Sequence, residues 1–142
     1  MTNRTGRCLC GAVSFTAKGA HDSFDVCHCE MCRRWAAGPM LAIESDSVDF
    51  EGEENIGIFT SSDWAERGFC KKCGTSLFYR LTIGSGETHV SAGALDDLAG
   101  MDLSKEIFID RKPEGYAFAG DRPRLTEAEV FAAAGQSETG DH

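Results

Sequence analysis

Hydrophobic and polar residues alternate along several short segments of the chain, which is the pattern of half-buried β-strands. In segment 11–19, Val13, Phe15 and Ala17 alternate with two hydroxyl-bearing residues. Similar segments follow at PMLAIES (39–45), SVDF (47–50), IGIFTS (56–61), TSLFYRL (75–81) and THVSAGAL (88–95). Glycine is frequent, at 16 residues, and proline is scarce, at three, which favours the turns and bulges of a sheet. The pattern predicts a small, mostly antiparallel β domain.

One helix is predicted near the C-terminal end of the sequence. Thr126 and Glu129 have the spacing of a capping box, the run EAEVFAAA is rich in helix-forming residues, and Gly135 supplies the stop. Residues 136–142 are polar, and we expect them to form a flexible tail. The segment MDLSKEIF (101–108) is compatible with either a helical turn or the start of a strand.

The length and charge of the chain limit its class. At 142 residues it has the size of one ordinary domain, which we expect to occupy residues 1–135. The formal net charge is -9, whereas a general affinity for nucleic acid needs a basic face, so no nucleic-acid partner is predicted. The start MTNRTGRC does not resemble a signal peptide, and no apolar run is long enough to span a bilayer. A soluble, cytoplasmic protein without a membrane partner is the expectation.

Cysteine is the most informative residue type in this sequence. An odd number of cysteines, spaced by one or two residues within each group, is a poor framework for disulfides. In a reducing compartment the same spacing favours metal binding. The seven cysteines are Cys8, Cys10, Cys27, Cys29, Cys32, Cys70 and Cys73.

Two of the cysteine groups, CLCG (8–11) and CKKCG (70–74), share one design. Each pairs two thiols and places a glycine after the second, so the backbone can turn tightly and direct amide groups at the sulfurs. Two such knuckles together supply the four sulfurs of a closed, tetrahedral zinc site. Four free thiols packed as small hydrophobic groups are the alternative, which Lys71 and Lys72 between two of the cysteines make less favourable. The predicted ligands of this structural zinc are Cys8, Cys10, Cys70 and Cys73.

The remaining three cysteines lie in CHCEMC (27–32). Three protein ligands with one open position are the pattern of a catalytic zinc. His28 could close the site as a fourth ligand. If residues 27–29 are extended, however, His28 points to the face opposite both neighbouring cysteines, and it is then a hydrogen-bonding group beside the ligands or a turn residue. The predicted ligands of the catalytic zinc, and the predicted catalytic residues, are Cys27, Cys29 and Cys32.

The ligand charges restrict what this second zinc can do. Three thiolates outweigh the charge of Zn²⁺, so the site is a poor generator of hydroxide. It suits holding a further thiolate, or a soft oxygen ligand with help from nearby cations. Arg33 and Arg34 follow the third cysteine directly and could offset the negative charge or hold a carboxylate. A solvated surface pair is the alternative for these two arginines.

Taken together, the motifs are specific enough to indicate a family. They are GRCLCGAV (6–13), CHCEMCR (27–33), RGFCKKCGT (67–75) and AGALDD (92–97). In their order and spacing the sequence resembles the glutathione-dependent formaldehyde-activating enzyme family, which includes centromere protein V-type proteins. The resemblance runs from about residue 6 to about residue 125. It implies a mainly β fold, the β-tent, in which several small antiparallel sheets surround a structural zinc, with a short C-terminal helix added here.

The resemblance also implies a reaction and its cofactors. Both cysteine sets match the family's zinc ligands, so two zinc ions per chain are expected, the second of them labile. The family's named reaction joins formaldehyde to glutathione to give S-hydroxymethylglutathione, which makes the expected activity that of a carbon–sulfur lyase. The expected partners are glutathione or another small thiol and a small aldehyde. No short motif identifies the residues that contact glutathione.

Other functions compete with this expectation. A zinc-stabilised β-tent binding module without catalysis is the main alternative. Zinc-ribbon recognition of nucleic acid is disfavoured by the charge of -9. A redox role for the CHCEMC segment is a further possibility, because thiolates beside arginine can be reactive.

Overall fold

The computed structural model describes residues 2–134, so the expected helix stop at Gly135 and the tail at 136–142 lie outside the described residues. The strands are β1 (Thr2–Arg7), β2 (Ser14–Ala20), β3 (Ser23–Cys27), β4 (Met40–Ser45), β5 (Ser47–Glu51), β6 (Ile56–Ser62), β7 (Ala65–Cys70), β8 (Ser76–Leu81), β9 (Thr88–Ser91), β10 (Asp102–Ile107) and β11 (Arg124–Leu125). The helices are α1 (Glu30–Ala36) and α2 (Glu127–Ala134). The prediction of a mainly β fold with a short C-terminal helix is confirmed. No helix within the described range is long and apolar enough to cross a membrane.

The chain divides into two compact units, each built from two separate segments. The first unit contains the residues up to Phe24 together with Ala42–Asp102. The second unit contains Asp25–Leu41 and, of the described residues, 103–134. The four-cysteine set falls in the first unit, and the three-cysteine set falls in the second.

Antiparallel strands make up the first unit. One sheet has the order β1-β2-β5, and a second series of paired strands has the order β4-β9-β8-β7-β6. The alternation noted on β2 places Phe15 in the core, where its ring centroid lies 6.0 Å from that of Phe50. Phe50 in turn lies 5.2 Å from Phe78 of β8, whose ring covers the backbone of Gly68 on β7. A Cβ at Gly68 would lie 2.2 Å from the Phe78 ring, so this position requires glycine.

The predicted strand segments agree with observed strands to within one residue except at two ends. The first segment, predicted over 11–19, becomes a strand only at Ser14. The last of them, predicted over 88–95, stops at Ser91, and residues 92–94 form a single 3-10 turn in which Ala92 is buried. The ambiguous segment 101–108 proves to be a strand, β10. Helix α1, which spans only seven residues, was not expected from the sequence.

The second unit places β10 at the centre of its strands, in the order β11-β10-β3. Strand β11 pairs with β10 in parallel, with Glu106 opposite Arg124. The buried ring of Phe108, just after β10, meets Phe131 of α2 edge to face at 5.9 Å. Strand β10 therefore carries residues that face the cysteine-bearing β3 segment and residues that hold the C-terminal helix.

Helix α2 begins as its sequence predicts. The amide of Glu129 donates to Thr126 Oγ1 at 3.2 Å, and the amide of Thr126 donates to Glu129 Oε1 at 2.8 Å. This reciprocal pair is a capping box, which satisfies two amide groups at the start of the helix.

Candidate metal centres

The first unit brings the two cysteine knuckles together, as predicted. Cys10 and Cys70 are 60 residues apart in sequence, yet their sulfurs lie 3.9 Å apart. The sulfurs of all four cysteines lie within 4.8 Å of one another. Cys8 follows β1 and Cys70 ends β7, so each knuckle is the turn that leaves a strand.

Both knuckles use the same backbone turn. The amide of Gly11 donates to the carbonyl of Cys8 at 3.2 Å, and the amide of Gly74 donates to the carbonyl of Cys70 at 2.8 Å. The φ angles of the two glycines are +83° and +82°. A Cβ at either glycine would meet nothing within 4 Å, so the left-handed backbone conformation, and not lack of space, is what favours glycine.

The sulfur spacing fits a tetrahedral zinc ion. Zinc–sulfur bonds of about 2.3 Å place the sulfurs of a regular tetrahedron about 3.8 Å apart. The sulfur of Cys10 lies 3.7 Å from that of Cys8 and 3.9 Å from that of Cys70. Amide groups of Val13 and Lys72 each donate to a knuckle sulfur at 3.3 Å. Donor type, spacing and surrounding hydrogen bonds all match a closed four-thiolate site.

Thr75 links the two knuckles and influences the ionisation of Cys73. Its hydroxyl accepts from the amide of Leu9 at 3.0 Å and lies 3.1 Å from the Cys73 sulfur. The pKa of Cys73 is lowered to about 5, first by the Thr75 hydroxyl and then by the amides of Cys10 and Thr75. The pKa of Cys10 is raised to about 11: the Ala12 amide lowers it, but desolvation and the other three sulfurs outweigh that effect. Neighbouring sulfurs therefore oppose the ionisation of Cys10, an effect that a bound cation would offset.

The second unit brings Cys27, Cys29 and Cys32 together. All three are buried, and their sulfurs lie within 4.8 Å of one another. Cys27 ends β3, whereas Cys29 is the N-cap of α1 and Cys32 lies in the first turn of that helix. The Cys29 sulfur accepts from the Cys32 amide at 3.3 Å, a bond that a serine or aspartate oxygen usually accepts at a helix start.

The neighbouring sulfurs of this set oppose the ionisation of Cys27. The pKa of Cys27 is raised by its hydrogen bonds with Cys29 and Cys32, and further by burial and by the charges of the same two sulfurs. Thiolates are the ligands that zinc prefers, so the donor chemistry fits a metal ion held by three sulfurs. Within residues 2–134, no histidine nitrogen or carboxylate oxygen joins this sulfur group.

His28 is a buried hydrogen-bonding residue and not part of the sulfur group. Its side chain is fully buried, and its Nε2 lies 2.9 Å from Glu106 Oε1. The rings of Tyr116 and Phe118 flank it, with centroids at 6.4 and 6.1 Å. The imidazole therefore does not stand among the three sulfurs.

Sequence reasoning missed the residues that hold His28. Glu106 is buried, and its Oε2 accepts from Arg122 at 2.7 Å and from Arg124 at 2.9 Å. Burial raises the pKa of Glu106, but the hydrogen bonds from His28 and the two arginines prevail and lower it. Glu106 lies 78 residues beyond His28, in the segment whose secondary structure the sequence left ambiguous, so no local pattern connects the two.

Arg33 and Arg34, the cationic candidates, have different surroundings. Arg34 is exposed and pairs with Glu30 one helical turn earlier, at 3.0 Å. No carboxylate within the described part of the chain pairs with Arg33. Both arginines line an open cavity of about 510 Å³ in the second unit. The other lining residues are Ala37, Gly38, Pro113 and Tyr116.

A third group of possible ligands lies on the first unit. Glu44 and His89 face each other across β4 and β9, and His89 Nε2 lies 2.8 Å from Glu87 Oε2. These side chains are partly exposed, and the imidazole and carboxylate already satisfy each other. We assign this group no role in the chemistry.

The sequence and the fold are similar to those of several known proteins. Residues 3–111 match the model of the family described as glutathione-dependent formaldehyde-activating enzyme. An uncharacterized lyase of Schizosaccharomyces pombe is 34% identical over 132 residues, covering 92% of this chain and 96% of that protein. A putative glutathione-dependent formaldehyde-activating enzyme of Halomonas elongata is 29% identical over 120 residues, covering 77% of this chain and 76% of that protein. A crystal structure of a Rhodobacter sphaeroides protein has a TM-score of 0.57 at 22% identity, covering 70% of this chain and 99% of that one, and it shows a shared fold.

Proposed function

The chain belongs to the glutathione-dependent formaldehyde-activating enzyme family, and from that premise we propose a zinc-dependent carbon–sulfur lyase acting on an adduct of glutathione, or another small thiol, with formaldehyde or a related aldehyde. The observation that carries the proposal is the set of three buried sulfurs, Cys27, Cys29 and Cys32, with no fourth protein ligand among the described residues. A closed structural site uses four protein ligands, whereas a catalytic site keeps one position for a ligand that exchanges.

The two cysteine sets take different roles in this proposal. Cys8, Cys10, Cys70 and Cys73 hold a structural zinc, and Cys27, Cys29 and Cys32 hold a catalytic one. When bound, the catalytic zinc supplies an electrophilic centre that keeps an added thiol in its thiolate form at neutral pH. The chain itself supplies three cysteine ligands, a buried environment for them, and a cation close by in sequence, Arg33, which pairs with no carboxylate of residues 2–134.

The reaction requires no oxidant or reductant. In the adduct-forming direction a sulfur–carbon bond forms as the aldehyde carbonyl π bond breaks, and the thiol proton is transferred to the oxygen. The reverse direction cleaves the same sulfur–carbon bond and returns the proton to sulfur. The protein must therefore bind a thiol, exclude competing ligands and leave room for a small aldehyde.

Arg33 is our candidate for recognising the thiol, because it follows Cys32 directly in sequence and lines a cavity of the second unit. The cavity that it lines has a volume within the usual range for small-molecule sites, about 300–1,000 Å³. Arg34 shares the cavity but is already paired with Glu30, so Arg33 is the cation left to bind an anionic group. Guanidinium groups bind carboxylates in a planar, two-point geometry, and glutathione carries two carboxylates. We assign Arg33 to one of these carboxylates.

Exchange spectroscopy tests the activity directly. Glutathione and formaldehyde combine without an enzyme, so product formation alone would not reveal catalysis. At equilibrium, NMR exchange between free glutathione and its hydroxymethyl adduct should be faster with the protein than without it. Unchanged exchange rates, with both metal sites loaded, would contradict the lyase and leave the zinc-stabilised binding module as the better function.

Replacing Arg33 with glutamine should weaken thiol recognition without stopping turnover. A hydrogen bond to a charged group contributes about 1.5–3 kcal/mol, so the KM for glutathione should rise about tenfold or more, with kcat little changed. The matched control is Arg34→Gln, which removes a cation from the same cavity but one already paired with Glu30. Equal effects of the two substitutions, or an equal loss with a thiol that lacks a carboxylate, would refute the assignment.

The two zinc ions should differ in affinity. Three ligands from one six-residue segment hold the second zinc, whereas four ligands from two knuckles enclose the first. In equilibrium competition with a chelator we expect the second zinc to be lost first, while circular dichroism stays native. Because the three sulfurs are buried and Cys10 is exposed, the difference belongs to the equilibrium and not to the speed of release. Loss of both ions in one step, together with the fold, would contradict the division into structural and catalytic sites.

A further inference from the structure

We propose that Glu106 and His28 position two of the three cysteines of the catalytic set. This inference rests on the proposed function for the metal site, but it concerns the protein's own residues around it. His28 lies between Cys27 and Cys29 in the chain, so any rotation of its backbone would turn both neighbouring sulfurs. Glu106 acts on these sulfurs through His28, which makes both of them positioning residues.

The backbone and side chain of His28 are both attached to β10. Its amide donates to the carbonyl of Ile107 at 3.0 Å, and its Nε2 lies 2.9 Å from Glu106 Oε1. The two acceptors belong to consecutive residues of one strand. A residue held at two points cannot pivot about either one, so the peptide groups on both sides of His28 are fixed in orientation.

Glu106 is itself held firmly. One carboxylate oxygen serves His28, while the other accepts from Arg122 at 2.7 Å and from Arg124 at 2.9 Å. The two guanidinium groups also donate to backbone carbonyls, Arg122 to Ala119 and Arg124 to Gly120. Burying a carboxylate costs free energy unless donors hydrogen-bond to it. The three donors to Glu106 offset that cost and leave its side chain little freedom to rotate.

The ionised carboxylate also determines which His28 nitrogen carries the proton. An ionised carboxylate only accepts hydrogen bonds, so Nε2 must be the donor. The other nitrogen, Nδ1, is buried and has no hydrogen-bond partner among the described residues. With Nε2 committed to Glu106, the imidazole is held as a rigid support and is kept out of the sulfur group.

In many metal sites a carboxylate orients a histidine that is itself a metal ligand. Removal of that carboxylate typically lowers metal affinity about 10- to 100-fold. Here the pair acts one residue away from each of two ligands. We expect the affinity of the second zinc site to fall about tenfold or more when the pair is broken. The first zinc site, in the other unit, should keep its affinity.

The test compares two His–Glu pairs within one protein. His28→Phe keeps a ring among Tyr116 and Phe118 and leaves Glu106 paired with both arginines, so the variant should fold. Glu106→Gln is the second variant: it keeps the size of the side chain, but its single amide oxygen cannot accept from His28 and from the two arginines at once. The matched control is His89→Phe, because His89 forms a similar 2.8 Å bond with Glu87 on the first unit.

The readout is the zinc affinity of each site in the full chain, measured by competition with a chromophoric chelator, with circular dichroism as the check on folding. The proposal expects His28→Phe and Glu106→Gln to weaken the second site by about tenfold or more, while the first site and the His89→Phe variant stay as in the wild type. Native-like variants with unchanged second-site affinity would overturn it. A wild type that binds the second zinc but accelerates no thiol–aldehyde exchange would overturn the proposed function and leave this inference standing.

Discussion

Replacing Cys70 with serine is expected to leave the chain unfolded or aggregated, and replacing Cys73 in the same way should act similarly. Cys70 is fully buried, its sulfur lies 3.9 Å from that of Cys10, and its amide donates to the carbonyl of Thr75 at 2.9 Å. Structural zinc contributes on the order of 10 kcal/mol to the folding of small zinc modules. The free energy of unfolding of a whole domain is only about 5–15 kcal/mol, so loss of this site removes most of it.

The measurements for this prediction are far-ultraviolet circular dichroism, thermal melting and zinc content. Lys72→Gln is the matched control, because it changes an exposed side chain within the same knuckle and keeps the amide that donates to the Cys70 sulfur. The control should fold and hold its zinc. A soluble Cys70→Ser protein that melts like the wild type would show that the four cysteines are not a structural metal site.

Replacing Cys29 with serine should have the opposite outcome, a folded protein without activity. Cys29 caps α1 by accepting from the Cys32 amide, and serine is among the preferred residues at that position. The helix start is therefore preserved while one of three thiolates is lost. We expect about one zinc fewer per chain, by the ligand count of an open site, and exchange between glutathione and its adduct at the uncatalysed rate.

Met31→Leu is a suitable control for Cys29→Ser, since it alters the first turn of the same helix without removing a sulfur ligand of the set. It should retain both zinc ions and the wild-type exchange rate. If Cys29→Ser were to catalyse exchange as fast as the wild type, the three-cysteine set would not be the catalytic site. If it were to unfold, the set would be structural.

The strands of the fold were predictable where one face is buried. Phe15 and Ala17 are buried and alternate with hydroxyl residues, and this period of two is visible in the sequence. Strand β1, with the sequence TNRTGR, shows no such alternation because most of its side chains are exposed and it lies at a sheet edge, where backbone pairing with β2 holds it. Helix α1 was missed because it is seven residues long and its N-cap is a cysteine.

The cysteine sets were predictable because the cysteines within each motif are only one or two residues apart, and the structure brings each set together. The residues that hold His28 could not be predicted. Glu106, Arg122 and Arg124 come close to it only because β10 and β11 lie beside β3 in the fold. Arg67 is another such case. It is a fully buried cation whose guanidinium lies 4.9 Å from the ring centroid of Tyr79, and nothing in the sequence around it distinguishes it from a surface arginine.

Cadmium NMR of the protein with both sites loaded with cadmium tests the central claim most directly, since the chemical shift of cadmium reports how many thiolates bind it. The account predicts two resonances, one from a four-thiolate site and one from a three-thiolate site. Adding glutathione should move the second resonance toward the first, which serves as an internal standard, whereas S-methylglutathione, with its sulfur blocked, should leave it in place. Two resonances that already coincide without thiol, or a second resonance that glutathione does not move, would contradict an open position kept for a thiolate at Cys27, Cys29 and Cys32.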